Sequence, residues 1–431
     1  MRKMKLVMLT VAFTAFASLT ALTAFAADQG WVKEDNAWYY LDKDGDAVEN
    51  AWKTNADGTL YFYLNEDGEM ATSSLIEDGE YLYYVNADGV QSRNQWRLLE
   101  DEDEDTDEEA RWYYFDAKGR AIKNSKKVID GKTYYFDEEG RMLYGWASVG
   151  TASNATMVDT YVDGDIYLGD NTTGWRWDNC WFKETDLEGT VYENAEDVNH
   201  LWFYFTSNGK KETDFKERID GVDYLFDADG VMLEEVFVND AEDNTYFASK
   251  SGAVYKDRWF WIEDEESEDG NWYYAQKNGK LIKNEIKKIG GKNFLFDADG
   301  KMITGFIASG SNASIFTKDL LEVKSNEFTN ADYSYFVEYG NRVEDTTIEL
   351  ELEDGFFVFG FDKSGKALNG EVEKRIYVNG ILQRAIDAKY RRLDSGKIVN
   401  ASGKIMTGDK YTIDDVVYEK QADGTYAVKA N

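Results

Sequence analysis

The chain has 431 residues, with 83 acidic against 48 basic side chains and a formal net charge of −35. A charge this negative argues against nucleic acid and against an anionic membrane surface as partners. The 15% of aromatic residues argues against a disordered chain. One cysteine, Cys180, and one histidine, His200, exclude an internal disulfide and leave little basis for a zinc site or a Cys–His nucleophile pair.

The first residues have the pattern of a secretory signal peptide, which we place at residues 1–26. A basic start is followed by an apolar run from Leu6 to Leu22 and by the small-residue cleavage motif Ala24-Phe25-Ala26. Cleavage there removes three positive charges, so that the mature net charge is −35 − 3 = −38. No other segment is long and apolar enough to span a bilayer. We therefore expect a secreted protein without a membrane span after signal cleavage, with an uncleaved anchor helix as the alternative.

A short motif recurs along the rest of the chain: an aromatic cluster, a polar link, and then Asp/Asn-x-x-Gly. The first copy is Trp38-Tyr39-Tyr40-Leu41-Asp42 with Gly45, and later copies end at Gly68, Gly119, Gly140, Gly209, Gly230, Gly279 and Gly300. Each run is rich in β-formers and ends in a turn signal, which predicts one β-hairpin plus a linking segment per repeat of about twenty residues. A unit this short must stack on its copies. The predicted fold class is all-β, a tandem β-hairpin repeat solenoid with irregular β insertions.

A second period of about 160 residues lies over the first and relates Trp38 to Trp202 and Trp112 to Trp272. It predicts two complete super-units and a diverged third. The hairpin repeats of the two super-units occupy residues 27–148 and 196–309. Their insertions occupy residues 149–195 and 310–354, and the truncated third unit occupies residues 355–431.

No motif in the chain points to catalysis. No pair of carboxylates can be singled out among 83 acids as a glycosidase pair, and G-x-S-x-G, H-E-x-x-H, P-loop and C-x-x-C motifs are absent. The segment Asp42–Asp46 resembles the start of an EF-hand loop, but Lys53 stands where the twelfth-position glutamate is needed, so a turn is favoured. The acidic inserts at 100–109 and 263–269 predict solvated loops, with a calcium site as the alternative. We predict a protein that is not an enzyme and needs no cofactor or metal.

The aromatic residues are the candidates for binding. Side chains alternate along a strand, so Trp38 and Tyr40 share one face while Tyr39 and Leu41 share the other. One face can pack on the next hairpin, and rings left partly exposed between repeats can form a cage for a quaternary ammonium or a platform for a sugar ring. The alternative is that these rings are simply core.

On these residues the chain resembles the choline-binding and cell-wall-binding repeat family of secreted proteins from Gram-positive bacteria, and the related repeats of clostridial toxins and glucan-binding proteins. Gly30-Trp31, Asn36 and Trp38-Tyr39-Tyr40-Leu41 with Gly45 match the opening of the family pattern. Ile129-Asp130-Gly131-Lys132 with Tyr134-Tyr135-Phe136 matches the toxin-like form. The resemblance covers most of residues 30–148 and 200–309.

The resemblance implies cages built from the Trp of Gly-Trp, the Trp of Trp-Tyr-Tyr and an aromatic of the next repeat. One cage would combine Trp31 and Trp38 with Tyr61 or Trp52. A second would combine Trp96, Trp112 and Tyr134, and its counterpart Trp259, Trp272 and Phe294. Other joints lack the Gly-Trp, as at Ser74-Leu75 and Gly305-Phe306. General binding of a glycan or wall polymer is therefore favoured over choline binding.

The predicted function is a secreted, non-catalytic protein, associated with the cell wall, that binds a wall polymer or surface glycan through aromatic grooves between hairpins. Two alternatives remain open. One is a structural surface protein or adhesin with no small ligand, and the other is the remnant of a toxin or enzyme that lacks its catalytic domain.

Overall fold

The computed structural model describes residues 29–100, 110–150, 154–185, 200–263 and 270–429. The predicted signal peptide and residues 101–109 and 264–269 of the acidic inserts lie outside this part of the chain. Within it, the regular elements are β-strands and two short 3-10 helices, and no helix has the length and apolar character needed to cross a membrane. The predicted all-β fold of tandem hairpins is confirmed.

The first of two compact units, Met1–Thr213, is a succession of antiparallel hairpins. Its strands are β1 Gly30–Glu34, β2 Ala37–Leu41, β3 Ala51–Thr54, β4 Tyr61–Leu64, β5 Ser74–Asp78, β6 Tyr81–Val85, β7 Gln95–Glu100, β8 Ala110–Phe115, β9 Ser125–Ile129, β10 Lys132–Phe136, β11 Trp146–Val149, β12 Ala155–Met157, β13 Ile166–Tyr167, β14 Cys180–Glu184 and β15 Leu201–Phe205. Neighbours in sequence pair two by two, except that β11 lies between β12 and β13.

The second unit, Asp214–Asn431, continues the hairpins and then departs from them. Its strands are β16 Lys216–Ile219, β17 Val222–Leu225, β18 Val236–Asn239, β19 Thr245–Ala248, β20 Arg258–Glu263, β21 Gly270–Ala275, β22 Ile286–Ile289, β23 Lys292–Phe296, β24 Met302–Ile303, β25 Gly305–Ala308, β26 Tyr333–Phe336, β27 Thr346–Leu352, β28 Gly355–Phe361, β29 Gly370–Val372, β30 Arg375–Val378, β31 Ile381–Leu382, β32 Tyr390–Arg392, β33 Ile398–Asn400, β34 Lys410–Ile413, β35 Val416–Lys420 and β36 Tyr426–Val428. The 3-10 helices are Leu320–Glu322 and Ser325–Glu327, and a five-stranded sheet has the order β27-β28-β31-β30-β29.

Two kinds of turn alternate along the hairpins. At the tip of the first hairpin, Asp35 and Asn36 have φ of 45° and 72°, a two-residue turn that sets Glu34 opposite Ala37. The repeated Asp-x-x-Gly signal lies after the second strand instead, where the Gly45 amide donates to the Asp42 carbonyl at 3.2 Å. The Asp42 carboxylate also accepts two backbone amides of this turn. The signal therefore closes the link between hairpins, and the segment that resembles an EF-hand is such a turn.

Backbone hydrogen bonds from several links join a hairpin to the one before it. In the link that follows the hairpin β3–β4, the Met70 amide donates to the Trp38 carbonyl of the hairpin β1–β2 at 2.7 Å. The Met142 amide donates to the Trp112 carbonyl at 2.8 Å in the same way. These bonds fix the spacing between a hairpin and its successor, which in turn brings their aromatic side chains into contact.

Along the regular hairpins the core consists of small clusters shared by neighbouring hairpins, whereas Phe306 to Ile381 contribute to one larger cluster. Tyr113 packs with Leu82 and Phe115, whereas its neighbour Tyr114 packs with Phe136 and other residues of the following hairpin. Because adjacent residues of a strand point to opposite faces, one hairpin serves the cluster before it and the cluster after it.

The boundary between the compact units, at Thr213 and Asp214, is not among the predicted boundaries of the super-units. The compact units are defined by contacts within the fold, whereas the super-units are defined by the period of the sequence. The super-units and their insertions stay a prediction.

Candidate functional site: aromatic joints between hairpins

Three aromatic rings meet in the same way where one hairpin follows another. The first ring is a Trp on the first strand, the second is the Tyr paired with it across the hairpin, and the third comes from the second strand of the next hairpin. We call such a cluster an aromatic joint. The joints described below are joint A, formed by Trp31, Tyr40 and Phe62, joint B, formed by Trp52, Tyr63 and Tyr83, joint C, formed by Trp96, Tyr114 and Tyr134, and joint D, formed by Trp259, Tyr274 and Phe294.

The geometry of the four joints is nearly constant. The Trp centroid lies 5.1–5.4 Å from the ring of its own hairpin and 4.8–5.1 Å from the ring of the next. Interplanar angles of 62–86° make every contact edge-to-face, the arrangement that the ring quadrupoles favour. Ten of the twelve rings are only half-buried, the exceptions being Tyr114 and Phe294.

Joint A includes Trp31 but none of Trp38, Tyr61 and Trp52, the partners predicted for it. The register sets Trp31 opposite Tyr40 and Trp38 opposite Lys33, two positions nearer the hairpin tip. Trp38 is 40% exposed there, and the Lys33 ammonium lies 5.7 Å from its ring.

Tyr61 and Trp52 lie on the opposite face of the second hairpin from Phe62, because Phe62 pairs with Lys53 whereas Trp52 pairs with Tyr63. Trp52 therefore belongs to joint B, where its indole nitrogen donates to the Asp78 carboxylate at 3.1 Å. Tyr61 is covered by the Arg93 guanidinium, 3.5 Å from its ring.

The predicted set Trp96, Trp112 and Tyr134 is brought together at joint C. Trp96 lies 6.3 Å from Trp112 and 4.8 Å from Tyr134, and it also stacks on Phe136 at 5.8 Å. In the counterpart set, Trp259 contacts Phe294 at 4.9 Å, while Trp272 pairs across its hairpin with Trp261 at 5.5 Å. Trp261 and Trp272 are 45% and 43% exposed and form a two-ring surface patch.

Carboxylates face joints B and C. Burial and the charge of Asp78 both raise the pKa of Tyr63 and of Tyr83. At joint C, burial and the charge of Asp130 raise the pKa of Tyr114 and of Tyr134. A carboxylate beside a cluster of ring faces creates a negative potential that suits a cation.

Joint A has the opposite electrostatic character. The Lys53 ammonium of the second hairpin lies 4.9 Å from the Tyr40 centroid, so an internal cation already occupies a face of this joint. An incoming cation would have to displace Lys53 or accept its repulsion.

Parts of the chain match models of known repeat families. Residues 29–75 and 107–142 match the family model of the choline-binding repeat, and residues 258–281 match that of a cell wall binding repeat. Over these stretches the chain is similar to choline-binding and cell-wall-binding repeats. The matched stretches include all three rings of joint A, Tyr114 and Tyr134 of joint C, and Trp259 and Tyr274 of joint D.

Curated relatives of these repeats are found in streptococcal enzymes. Glucosyltransferase-S of Streptococcus mutans serotype c is 25% identical over 271 residues, which are 62% of this chain and 14% of the relative. Glucosyltransferase-I of Streptococcus downei is 25% identical over 91% of this chain and 25% of the relative. The chain thus spans a quarter or less of the length of these relatives.

Solved structures with similar repeats have low overall superposition scores. The modular autolysin LytC of Streptococcus pneumoniae is 19% identical, with a TM-score of 0.39 over 65% of this chain and 55% of that chain. Choline binding protein F of the same species is 19% identical, with a TM-score of 0.33 over 80% of this chain and 99% of that chain.

Sequence reasoning missed several members of the joints of these repeats. Tyr40, Phe62, Tyr63, Tyr83, Tyr114 and Tyr274 were not predicted as site residues, nor were the carboxylates Asp78 and Asp130. For joint A, the two-residue tip at Asp35-Asn36 carries the signal that would identify Tyr40, because it fixes which residue lies opposite Trp31.

Proposed function

We propose that this protein is a secreted, non-catalytic module that binds a cell-wall polymer or surface glycan through its aromatic joints. The observation that carries the proposal is the recurrence of one three-ring geometry, with a partly exposed Trp each time, at joints A, B, C and D. A hydrophobic core needs only buried apolar side chains and no fixed arrangement of rings. Rings that recur at one spacing and stay partly exposed suit a ligand that is itself a repeating polymer.

The electrostatics divide the joints by the group that each would accept. Joints B and C combine rings with Asp78 and Asp130, so they suit a quaternary ammonium such as the choline group of a decorated wall polymer. The exposed pair of Trp261 and Trp272 suits stacking against an uncharged sugar ring. The names of the matched repeat families, and of the glucosyltransferases that share the repeats, support both kinds of ligand.

Multiple weak sites can give firm attachment to a polymer. A cation over an exposed ring contributes about 0.5–1 kcal/mol and about 2 kcal/mol when desolvated. Linked sites convert later binding steps into intramolecular ones, which raises the overall affinity without new contacts. We therefore expect weak binding of a single small ligand and much stronger retention on intact walls.

A sedimentation assay on purified Gram-positive cell walls, with and without choline as competitor, tests the proposal. The variant with both Trp52→Ala and Trp96→Ala should bind walls at least several-fold less than the parent. Leu75→Ala is the matched control, because Leu75 occupies the Trp position opposite Tyr84 in its own hairpin and is 42% exposed. Circular dichroism confirms that each variant is folded.

The two kinds of ligand give different results. Release by choline supports ammonium recognition at joints B and C, and release by soluble glucan but not by choline supports sugar stacking. Full binding by a folded variant that lacks both tryptophans would overturn recognition through the joints.

A further inference from the structure

A second tryptophan lies near the tip of several hairpins, on the same face as the tryptophan on the first strand. In the hairpin β1–β2, Trp38 pairs with Lys33, two positions from the pair of Trp31 and Tyr40, and residues two apart along a strand share a face. Other hairpins repeat this pairing. We call these residues tip tryptophans: Trp38 in β1–β2, Trp112 in β7–β8, Trp202 in β14–β15 and Trp272 in β20–β21.

In the hairpins β1–β2 and β14–β15, the residue directly opposite the tip tryptophan is a lysine. The Lys33 ammonium lies 5.7 Å from the ring centroid of Trp38, and the Lys183 ammonium lies 5.6 Å from that of Trp202. A cation at this distance is attracted to the face of the ring. The chain's own cation therefore covers a face of each of these two tryptophans.

In the hairpins β7–β8 and β20–β21, the opposite residue is apolar instead. Trp112 pairs with Leu98, which is 52% exposed, and Trp272 pairs with Trp261. Among the described residues, no lysine or arginine is found over the rings of Trp112, Trp261 or Trp272. These two tips therefore present aromatic surface without an internal cation.

A glycine on the facing strand positions the Trp261 ring. A Cβ at Gly270 would lie 2.5 Å from Trp261 Cε2 and 2.6 Å from its Cζ2, so the indole lies against the backbone of Gly270 and leaves no room for a side chain there. Trp272 meets this indole at 5.5 Å with an interplanar angle of 64°. Because both rings are exposed, they form an open, angled surface at the tip of this hairpin.

We propose that the tips of β7–β8 and β20–β21 bind an uncharged sugar ring, and that Lys33 and Lys183 close the corresponding sites of β1–β2 and β14–β15. The inference rests on the proposed function, which assigns sugar stacking to Trp261 and Trp272. It adds Leu98 with Trp112 as a second sugar site and makes the residue opposite the tip tryptophan the determinant of access.

The chemistry of the two open tips suits a sugar. The negative face of an aromatic ring attracts the C–H groups on one face of a sugar ring, whereas an open pair of rings desolvates a cation little and so gains little from it. Glu263 shares the face of Trp261, and Glu100 holds the corresponding position beside Leu98. A carboxylate at this position accepts hydrogen bonds from sugar hydroxyls.

Titration of the full chain with isomaltose, N,N′-diacetylchitobiose and choline chloride tests the assignment. The indole NMR signals of the four tip tryptophans, assigned through Trp→Phe variants, report on each site separately. We expect a neutral sugar to shift the signals of Trp112 and Trp272 at concentrations at which those of Trp38 and Trp202 do not move. A response to isomaltose alone supports an α-glucan as the ligand, and a response to diacetylchitobiose alone supports an amino-sugar glycan.

Substitution of the opposite residue should open a closed site and close an open one. Lys33→Leu removes the ammonium from Trp38, so the sugar should bind there about two- to fivefold more tightly, the factor expected for loss of a competing cation over an exposed ring. Lys33→Arg should stay closed, and Lys43→Leu, at an exposed lysine in the turn between β2 and β3, is the matched control. Trp261→Lys should weaken sugar binding at Trp272 by about fivefold or more. Circular dichroism confirms that each variant is folded.

Equal responses of Trp38 and Trp272 to sugar in the parent, or no gain at Trp38 in Lys33→Leu, would overturn the assignment. Shifts of Trp112 and Trp272 with choline but with neither sugar would also overturn it and would make these tips cation sites. Failure of the general function gives a different result. In that case the folded variant that lacks Trp52 and Trp96 still binds walls fully, whereas the sugar response of Trp272 is measured in solution and decides this assignment by itself.

Discussion

Trp96 and Tyr134 lie with their ring centroids 4.8 Å apart, edge-to-face, although they belong to successive hairpins. The contact joins the first strand of one hairpin to the second strand of the next. A single pair of rings therefore couples the folding of two repeats and forms part of the surface that we propose to bind the ligand.

Loss of the central ring of joint C should destabilise the protein. Trp96→Ala removes contacts with Tyr114, Tyr134 and Phe136, and since Trp96 is half-buried we expect a loss of about 2–4 kcal/mol, at or below the range for buried Trp→Ala changes. Trp38→Ala, at a ring 40% exposed, should cost less than about 1 kcal/mol. Urea unfolding followed by circular dichroism measures both. Equal midpoints for the two variants would contradict a structural role for the joint.

The carboxylate at joint C should set its preference for cations. Asp130→Asn keeps the size of the side chain but removes its charge, so choline should shift the Trp96 indole signal several-fold more weakly at low salt. The difference should shrink above about 0.5 M salt, where the charge is screened. Asp88→Asn, in an exposed turn, is the control. An unchanged affinity in Asp130→Asn would show that the rings alone bind the cation.

Removal of the internal cation should open joint A. Lys53→Gln takes away the ammonium that lies 4.9 Å from the Tyr40 ring, and choline should then shift the Trp31 indole signal where the parent shows little response. Lys43→Gln replaces an exposed lysine in the turn between β2 and β3 and should have no such effect. If Lys53→Gln responds no better than the parent, Lys53 does not block this joint.

Close packing of a methionine against a turn glycine should limit substitutions there. A Cβ at Gly89 would lie 2.7 Å from Met70 Cε and 3.1 Å from its Cγ, at φ of +75°. Gly79 has φ of +64° but no atom within 4 Å. Gly79→Ala should therefore cost about 1–2 kcal/mol for the left-handed backbone alone, whereas Gly89→Ala should cost about 1–3 kcal/mol more for overpacking. Unfolding midpoints compare the two, and identical losses would rule out the contact with Met70.

The contribution of Asp170 to stability should depend on pH at acidic values. Hydrogen bonds from the Thr172 and Thr173 hydroxyls and amides lower the pKa of Asp170 from 3.8 to about 2. Because its folded-state pKa is depressed, the stabilisation is present above pH 3.8 and is lost as the pH falls through about 2.

Thr172→Ala removes the largest of these contributions, so the pKa of Asp170 should rise toward 3.8. Carboxyl-carbon NMR titration measures the pKa directly. An Asp170 pKa that stays near 2 in the variant would assign the effect to the remaining hydrogen bonds.

The sequence predicted Trp96 and Tyr134 of joint C and the neighbouring Trp112, but not Tyr114, because the repeat there is regular. Trp96, Trp112 and Tyr134 stand at family positions, and the short tip at Asp130-Gly131 leaves little freedom in how that hairpin pairs. At joint A the same reasoning selected Tyr61, but Phe62 is the ring that contacts Trp31. The hairpin β3–β4 is closed by a longer loop between Thr54 and Tyr61, and the length of this loop does not fix the pairing register of the two strands. A register shift of one residue would move each side chain to the other face of the hairpin.

The sequence by itself determined the all-β class, the hairpin repeat and the aromatic positions available for binding, because these follow from local periodicity and turn chemistry. Only the tertiary structure decided which rings meet and which charge faces them. Those contacts join residues of different hairpins, and they depend on strand register and on the hydrogen bonds of the links, such as that from Met70 to Trp38. For that reason Asp130 and Lys53 became candidates only through their place beside a joint, which no local pattern records.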